Sequence, residues 1–394
     1  MSNNKSKDDA ALIETQSKVD FLFNMLWLIS LLLLSFQLSS ILGPGNYNWF
    51  QKSFFLLAGI LFVLKNPLAN KVVINGFIII ILSITTFAAL TNFLDFSWAR
   101  TANATIALIS ILIFYLVVPK EKERFFMLKT LAALTPAIII SGFILLMLIG
   151  RPIFGHDHTG ASRYAGGSIP AFLAAAAYAS TIAYSMLFRY TKENKYLILA
   201  FGCLFTSLLT GSRMATVCAT VCLFTLIFTA IKGGALRIAF IFAGVTAVAI
   251  GLLTFGQQII IRFSSESSSG RDLLWNSVLA WAEKYPWTGI GFGHHSLVIP
   301  EFVQKITGTQ ATHNEYVRLA GELGYIGAIT FSIGIFMMYY FAPNKKNISD
   351  IIVTLIVLST FALFSYSDNT LSSSYCMLAP LAYVLGSGLK NKTD

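Results

Sequence analysis

Charge is what this 394-residue chain lacks first: charged residues make up 12% of it, against about 25% in a soluble protein. That scarcity excludes an ordinary soluble enzyme. Cysteine is scarce too. Cys203, Cys218, Cys222 and Cys376 all lie in or beside apolar segments, with neither CxxC nor zinc-finger spacing. They read as small buried hydrophobes, not as a disulfide framework or a metal centre. The apolar spans hold almost no ionisable residues, which argues against a proton-coupled transporter with its mid-membrane relay. Asp95, Asp157, Asp272 and Asp368 stand isolated in sequence, so no acidic pair marks a metal site, and no cofactor is expected. There is no internal repeat, no low-complexity tract and no linker that would define a soluble domain. The polar N-terminus lacks a cleavable-signal pattern, so residues 21–42 read as a retained span.

What is present is apolar sequence. Hydrophobic residues reach 56% and mean hydropathy is +0.70. The expected fold is an all-α polytopic membrane protein with about twelve transmembrane helices. Among the twelve are residues 126–149, 196–209, 214–230, 238–255, 325–341, 351–366 and 375–389. Three parts follow: residues 1–255 with nine spans, a loop over 256–322 containing helices, and residues 323–394 with three spans and a tail. The net charge of +10 does not call for nucleic acid, because the basic residues are dispersed among the loops. Their distribution instead orients the chain. One set of loops, carrying Lys65, Lys120, Lys192 and Lys345 among others, holds most of the basic residues, and these are mostly lysine. The opposite set is mostly arginine. The lysine-rich side, with both termini, is expected in the cytoplasm, and the long loop in the periplasm. Arginines on the outer side need another reason to exist, and binding of phosphate or carboxylate by a planar guanidinium is one.

The chain is organised around residues 311–327, ATHNEYVRLAGELGYIG. Thr312 and Glu315 have capping-box spacing, which predicts a helix starting at His313. Arg318 and Glu322 follow within its first turns. In the long loop, Ser269 and Asp272 can cap a helix over 270–285 stopped by Pro286. Its face Leu274, Val278, Trp281 and Tyr285 is apolar, and Trp275, Trp281 and Trp287 suit a helix at the lipid headgroups. The stretch 288–293 alternates glycines and is a weak candidate for a phosphate cradle. Arg213 opens one span, Arg271 lies in the first turn of the loop helix, and helix N-termini attract anions. A second outer loop, 150–167, carries Arg151, His156, Asp157, His158 and Arg163. The pairs His156/His158 and His294/His295 look like metal ligands but fit ordinary polar loops as well. Each candidate also has a plainer reading. Arg213 fits a snorkelling anchor, Arg271 a solvated first-turn residue, His313 a capped helix start, and Arg318 a partner for Glu315 or Glu322.

Four motifs in order, Thr210-Gly211-Ser212-Arg213, Ser269-Gly270-Arg271 with Asp272-Leu273-Leu274-Trp275, Pro286-Trp287-Thr288-Gly289 and Thr312-His313-Asn314-Glu315, resemble the O-antigen ligase and O-antigen polymerase superfamily. Ser162-Arg163 and Ser367-Asp368 extend the similarity. The resemblance implies a fold related to C-type membrane glycosyltransferases. It implies transfer of a glycan from undecaprenyl pyrophosphate to an acceptor hydroxyl, without metal, at the periplasmic face of the bacterial inner membrane. The length and the single large loop look more like a ligase, whose acceptor is lipid A–core, than a polymerase, which joins lipid-linked repeat units. Carried onto this chain, the resemblance gives Arg213 and Arg271 the pyrophosphate and His313 the acceptor hydroxyl. Arg163 and Arg318 are further substrate-binding candidates. A lipid-linked glycan transporter and a non-catalytic scaffold are the other classes the sequence leaves open.

Overall fold

The computed structural model describes residues 2–39, 43–156, 162–231, 233–234, 237, 270–345 and 347–389. The span expected at 238–255, the polar run 264–269, Asp157 and His158 lie outside them, as does the His156 side chain. The helices are α1 (Ser2–Ser35), α2 (Pro44–Lys65), α3 (Lys71–Leu90), α4 (Trp98–Leu112), α5 (Glu121–Ala132), α6 (Leu134–Ile149), α7 (Pro170–Thr191), α8 (Asn194–Leu209), α9 (Arg213–Ala230), α10 (Arg271–Lys284), α11 (Glu301–Thr307), α12 (Glu315–Phe341), α13 (Ile348–Ser367) and α14 (Ser374–Ser387). A short antiparallel hairpin, β1 (Phe154–His156) and β2 (Ser162–Tyr164), precedes α7.

Among the described residues, eight helices are long and apolar enough to cross a membrane. The other expected spans differ in instructive ways. The one at 126–149 is broken into α5 and α6, bent by 42°. Pro136 has no N–H to return to Ala132, so the helix opens there. The Thr135 N–H turns to Ser180 Oγ of α7 at 3.2 Å, which keeps the break satisfied inside protein. Helices α8 and α14 hold 16 and 14 residues, a rise of only about 21–24 Å, short of a full span.

The bundle centres on α7 and α14. Residues 173–187 of α7 and 375–386 of α14 are buried all round, as befits helices without a polar face. Runs such as Ala174–Ala177 let neighbouring backbones approach closely. Helices α3 and α12 cross at Gly76 and Gly334. A Cβ on Gly76 would lie 2.8 Å from the Gly334 carbonyl oxygen, and one on Gly334 would lie 2.7 Å from that of Gly76.

Residues 270–323 form a helical cap over one end of the bundle. Leu274 and Val278 of α10 pack with Phe93, Ile290, Val298 and Val303 into a second apolar cluster. The predicted face of α10 therefore turns inward onto protein. Trp281 meets Phe93 edge-on at 5.4 Å and the Trp275 indole donates to the Thr312 carbonyl at 2.8 Å. Of the three tryptophans expected at headgroups, only Trp287, 67% exposed, remains open.

Candidate active site

Helix α12 does not start at His313, and Thr312 is not its cap. The helix opens at Glu315, and Asn314 caps it by accepting from the Tyr316 and Val317 N–H groups at 3.0 and 3.2 Å. His313 stands before the cap with φ +50°, a left-handed backbone that costs a non-glycine residue about 1–2 kcal/mol. Asn314 wins because its short side chain reaches the free N–H groups while its backbone stays extended.

Glu315 and Glu322 point into the protein. Arg318 is 1% exposed; it donates from Nε to Glu315 at 3.0 Å and from Nη1 to Glu322 at 2.7 Å, and Nη2 pairs with Glu315 again. His295 Nδ1 lies 2.6 Å from the other oxygen of Glu322. The guanidinium is thus committed to two carboxylates, one turn before it and one turn after it on the same helix. The pairing reading of Arg318 is the one the geometry shows.

The glycine-alternating stretch serves the same helix. α12 breaks at Gly324, with φ 68° and ψ 175°. The Ile290 and Gly291 N–H groups donate to the Gly321 and Glu322 carbonyls at 2.9 and 2.8 Å, and the Tyr325 N–H donates to the Pro286 carbonyl at 2.8 Å. Those N–H groups are spent on the helix break, so they do not cradle phosphate. A Cβ on Gly289 would fall 2.4 Å from the Glu322 carbonyl, which explains the glycine. His294 is structural as well. It is fully buried, stacks on Phe96 at 5.1 Å and accepts the Ser97 N–H at Nε2. Its Nδ1 faces the Gly291 carbonyl at 3.1 Å. Burial pushes its pKa down. Among the described residues no three His, Cys, Asp or Glu side chains gather as metal ligands.

The polar groups that do converge meet at the strip Ser367-Asp368-Asn369, where α13 ends. Arg271 Nη1 donates to the Ser367 carbonyl at 3.3 Å. His313 Nδ1 lies 3.5 Å from Asp368 Oδ1, with the two side chains 29% and 25% exposed. Thr312 Oγ1 and the Asn314 N–H both donate to Asn369 Oδ1, at 2.8 and 3.2 Å. Burial lowers the Arg271 pKa; Asp368 opposes that, and the positive charges of Arg163 and Arg213 add to it. Three guanidinium groups therefore share one electrostatic neighbourhood with a histidine and a carboxylate. Arg213 is the first residue of α9, after a turn made by Gly211 at φ +70°. Arg163 comes from β2, and its side chain lies 3.5 Å from where a Gly211 Cβ would stand. Neither α9 nor α10 has a side-chain cap at its N-terminus, so their first-turn dipoles add to the positive field.

The structure thus brings Arg163, Arg213, Arg271 and His313 together and sets Arg318 apart. Sequence reasoning gave Asp368 no role in the chemistry, although the motif Ser367-Asp368 pointed at it. Asn369 carried no signal.

Residues 196–332 match a protein-family model described as O-antigen ligase. The matched stretch contains Arg213, Arg271 and His313; Arg163 and Asp368 fall outside it and join the site through the fold. No curated protein matches the chain.

Proposed function

We propose, from the premise that residues 196–332 match the O-antigen ligase family model, that the chain is an O-antigen ligase. It transfers a polysaccharide from undecaprenyl pyrophosphate to a hydroxyl of lipid A–core, at the periplasmic face of the inner membrane. The observation that carries this reading is the meeting of Arg163, Arg213 and Arg271 with the His313–Asp368 pair.

The chemistry follows from the charges. The acceptor oxygen attacks the anomeric carbon, and the bond from that carbon to the pyrophosphate oxygen breaks with its electron pair. Negative charge grows on the leaving group, and fixed guanidinium groups there stabilise it more in the transition state than in the bound donor. A sugar hydroxyl is a poor nucleophile. In this reading the His313 Nδ1 faces Asp368, 3.5 Å away, and Nε2 is the nitrogen presented to the hydroxyl. Accepting the hydroxyl proton there contributes about 10²–10⁴-fold.

The test is deletion followed by analysis of the lipids. Loss of the protein should leave lipid A–core bare while long glycan accumulates on the undecaprenyl carrier. Core capped with a single repeat unit would assign the chain to the polymerases. Unaltered glycan lipid that fails to cross the membrane would assign it to the transporters.

A further inference from the structure

We propose that Asn369 is a positioning residue that holds both members of the His313–Asp368 pair. Its side chain fixes the turn that carries His313, and its backbone fixes the Asp368 carboxylate. The proposal rests on the role of His313 given above.

The argument starts from the His313 backbone. A non-glycine residue at φ +50° persists only where its surroundings over-determine it. The peptide groups on both sides of His313 are tied down. Before it, Thr312 Oγ1 donates to Asn369 Oδ1 at 2.8 Å and the Thr312 carbonyl accepts from the Trp275 indole at 2.8 Å. After it, the Asn314 N–H donates to the same Asn369 oxygen at 3.2 Å. One oxygen therefore clamps the residues flanking His313 while the imidazole projects into the site. The Asn369 N–H meanwhile donates to Asp368 Oδ1 at 2.8 Å. The two halves of the pair come from the turn before α12 and the end of α13, and Asn369 is hydrogen-bonded to the residues flanking His313 and to Asp368. Thr312 is fully buried and Asn369 is 8% exposed, so water does not compete for these bonds. If Asn369 loses its side chain, Asp368 keeps its N–H partner but the His313 turn is released.

A purely structural asparagine would lower stability without regard to His313. A positioning residue acts only through it, and a double-mutant cycle separates the two. The assay uses full-length protein in proteoliposomes with undecaprenyl-pyrophosphate-linked polysaccharide as donor and lipid A–core as acceptor. Asn369→Ala should lower kcat by about 10²-fold, the scale for small misplacement of a reacting group, and leave the donor KM near its wild-type value. In a His313→Gln background the same substitution should cost nothing further. Thr312→Val, which deletes one donor to Asn369, should show a smaller loss with the same dependence on His313, and Thr312→Ser should restore turnover. If Asn369→Ala does not reach the membrane, the Thr312→Val cycle decides alone. Losses that multiply in the double variant, or full turnover in Asn369→Ala beside an inactive His313→Gln, would overturn the positioning role and leave His313 in place. A His313→Gln protein with wild-type turnover would instead remove His313 from the mechanism, and the proposal with it.

Discussion

The two ends of the helix bundle are both basic, and they handle the charge differently. At the lysine-rich end cations are matched. Lys65 lies 2.9 Å from Asp20 and 2.8 Å from Glu123, and Arg189 lies 2.9 Å from Asp350. Arg124 donates to the Pro119 and Val384 carbonyls. At the other end Arg163 and Arg213 come close enough to disfavour the charge on Arg271, while the single carboxylate of Asp368 favours it. Like charges brought together raise the energy of the empty site, and an anion bound among them relieves it. The first arrangement holds helices in register; the second is suited to a ligand.

Removing arginine from the second arrangement should therefore have the largest effect. Arg271→Ala or Arg213→Ala should cost about 10²–10³-fold in turnover, the scale of a lost transition-state donor, with the protein still in the membrane. Lysine should rescue poorly because it lacks the bidentate fork. Full activity in both alanine variants would erase the contrast between the ends. Arg318→Leu sharpens it from the other side. It strands two buried carboxylates, so the loss should appear as about 3–5 kcal/mol of stability, read as poor membrane yield and early melting rather than as altered KM. Arg189→Ala breaks a partly exposed pair and should cost about 1 kcal/mol or less, with turnover unchanged; a large loss of activity would mean that the lysine-rich end takes part in the reaction.

A smaller effect is expected with pH. Burial holds the His294 pKa below its ordinary value in the folded protein. As pH falls below that ordinary value, the unfolded chain takes up a proton that the native one refuses, so stability declines toward acid. Melting temperatures of the detergent-solubilised protein at pH 7.5 and pH 5 measure this decline. It should shrink in His294→Phe relative to wild type. Smallest of all is the expected effect of EDTA: activity should be the same with and without it, and a strict metal requirement would turn attention to His156 and His158.

Several of these features were legible in the chain before its structure. The helix over Arg271–Lys284 and the span beginning at Arg213 follow from Pro286 and apolar periodicity, which act within a few residues of one another; neither helix takes the side-chain cap that the spacing offered. The break at Gly324 falls one residue before the span expected from Tyr325, while the whole helix Glu315–Phe341 is long and apolar enough to cross a membrane. The start of α12 misled because Thr312 and Asn314 are both good caps at neighbouring positions, and local spacing does not choose between them. Thr312 is drawn away by Asn369, 57 positions on. The glycines at 289 and 291 misled for a related reason. A glycine-rich turn frees N–H groups, and only the partner across space, here the Gly321 and Glu322 carbonyls, says whether they meet a ligand or a helix end.

By itself the sequence determined that this chain is built of apolar helices long enough to cross a membrane, that lysine-rich and arginine-rich connections occur along it, and which short motifs hold the ionisable groups. Those properties are sums over neighbouring residues, so they need no packing to be read. Only the tertiary structure decided that Arg163, Arg213, Arg271 and His313 share one site while Arg318 is withdrawn from it. The end of α13 supplies the carboxylate and the amide that organise the centre. Hydropathy sets where a helix lies, but which helix ends meet depends on how closely Gly76 and Gly334 let α3 and α12 approach and how α14 fills the middle of the bundle.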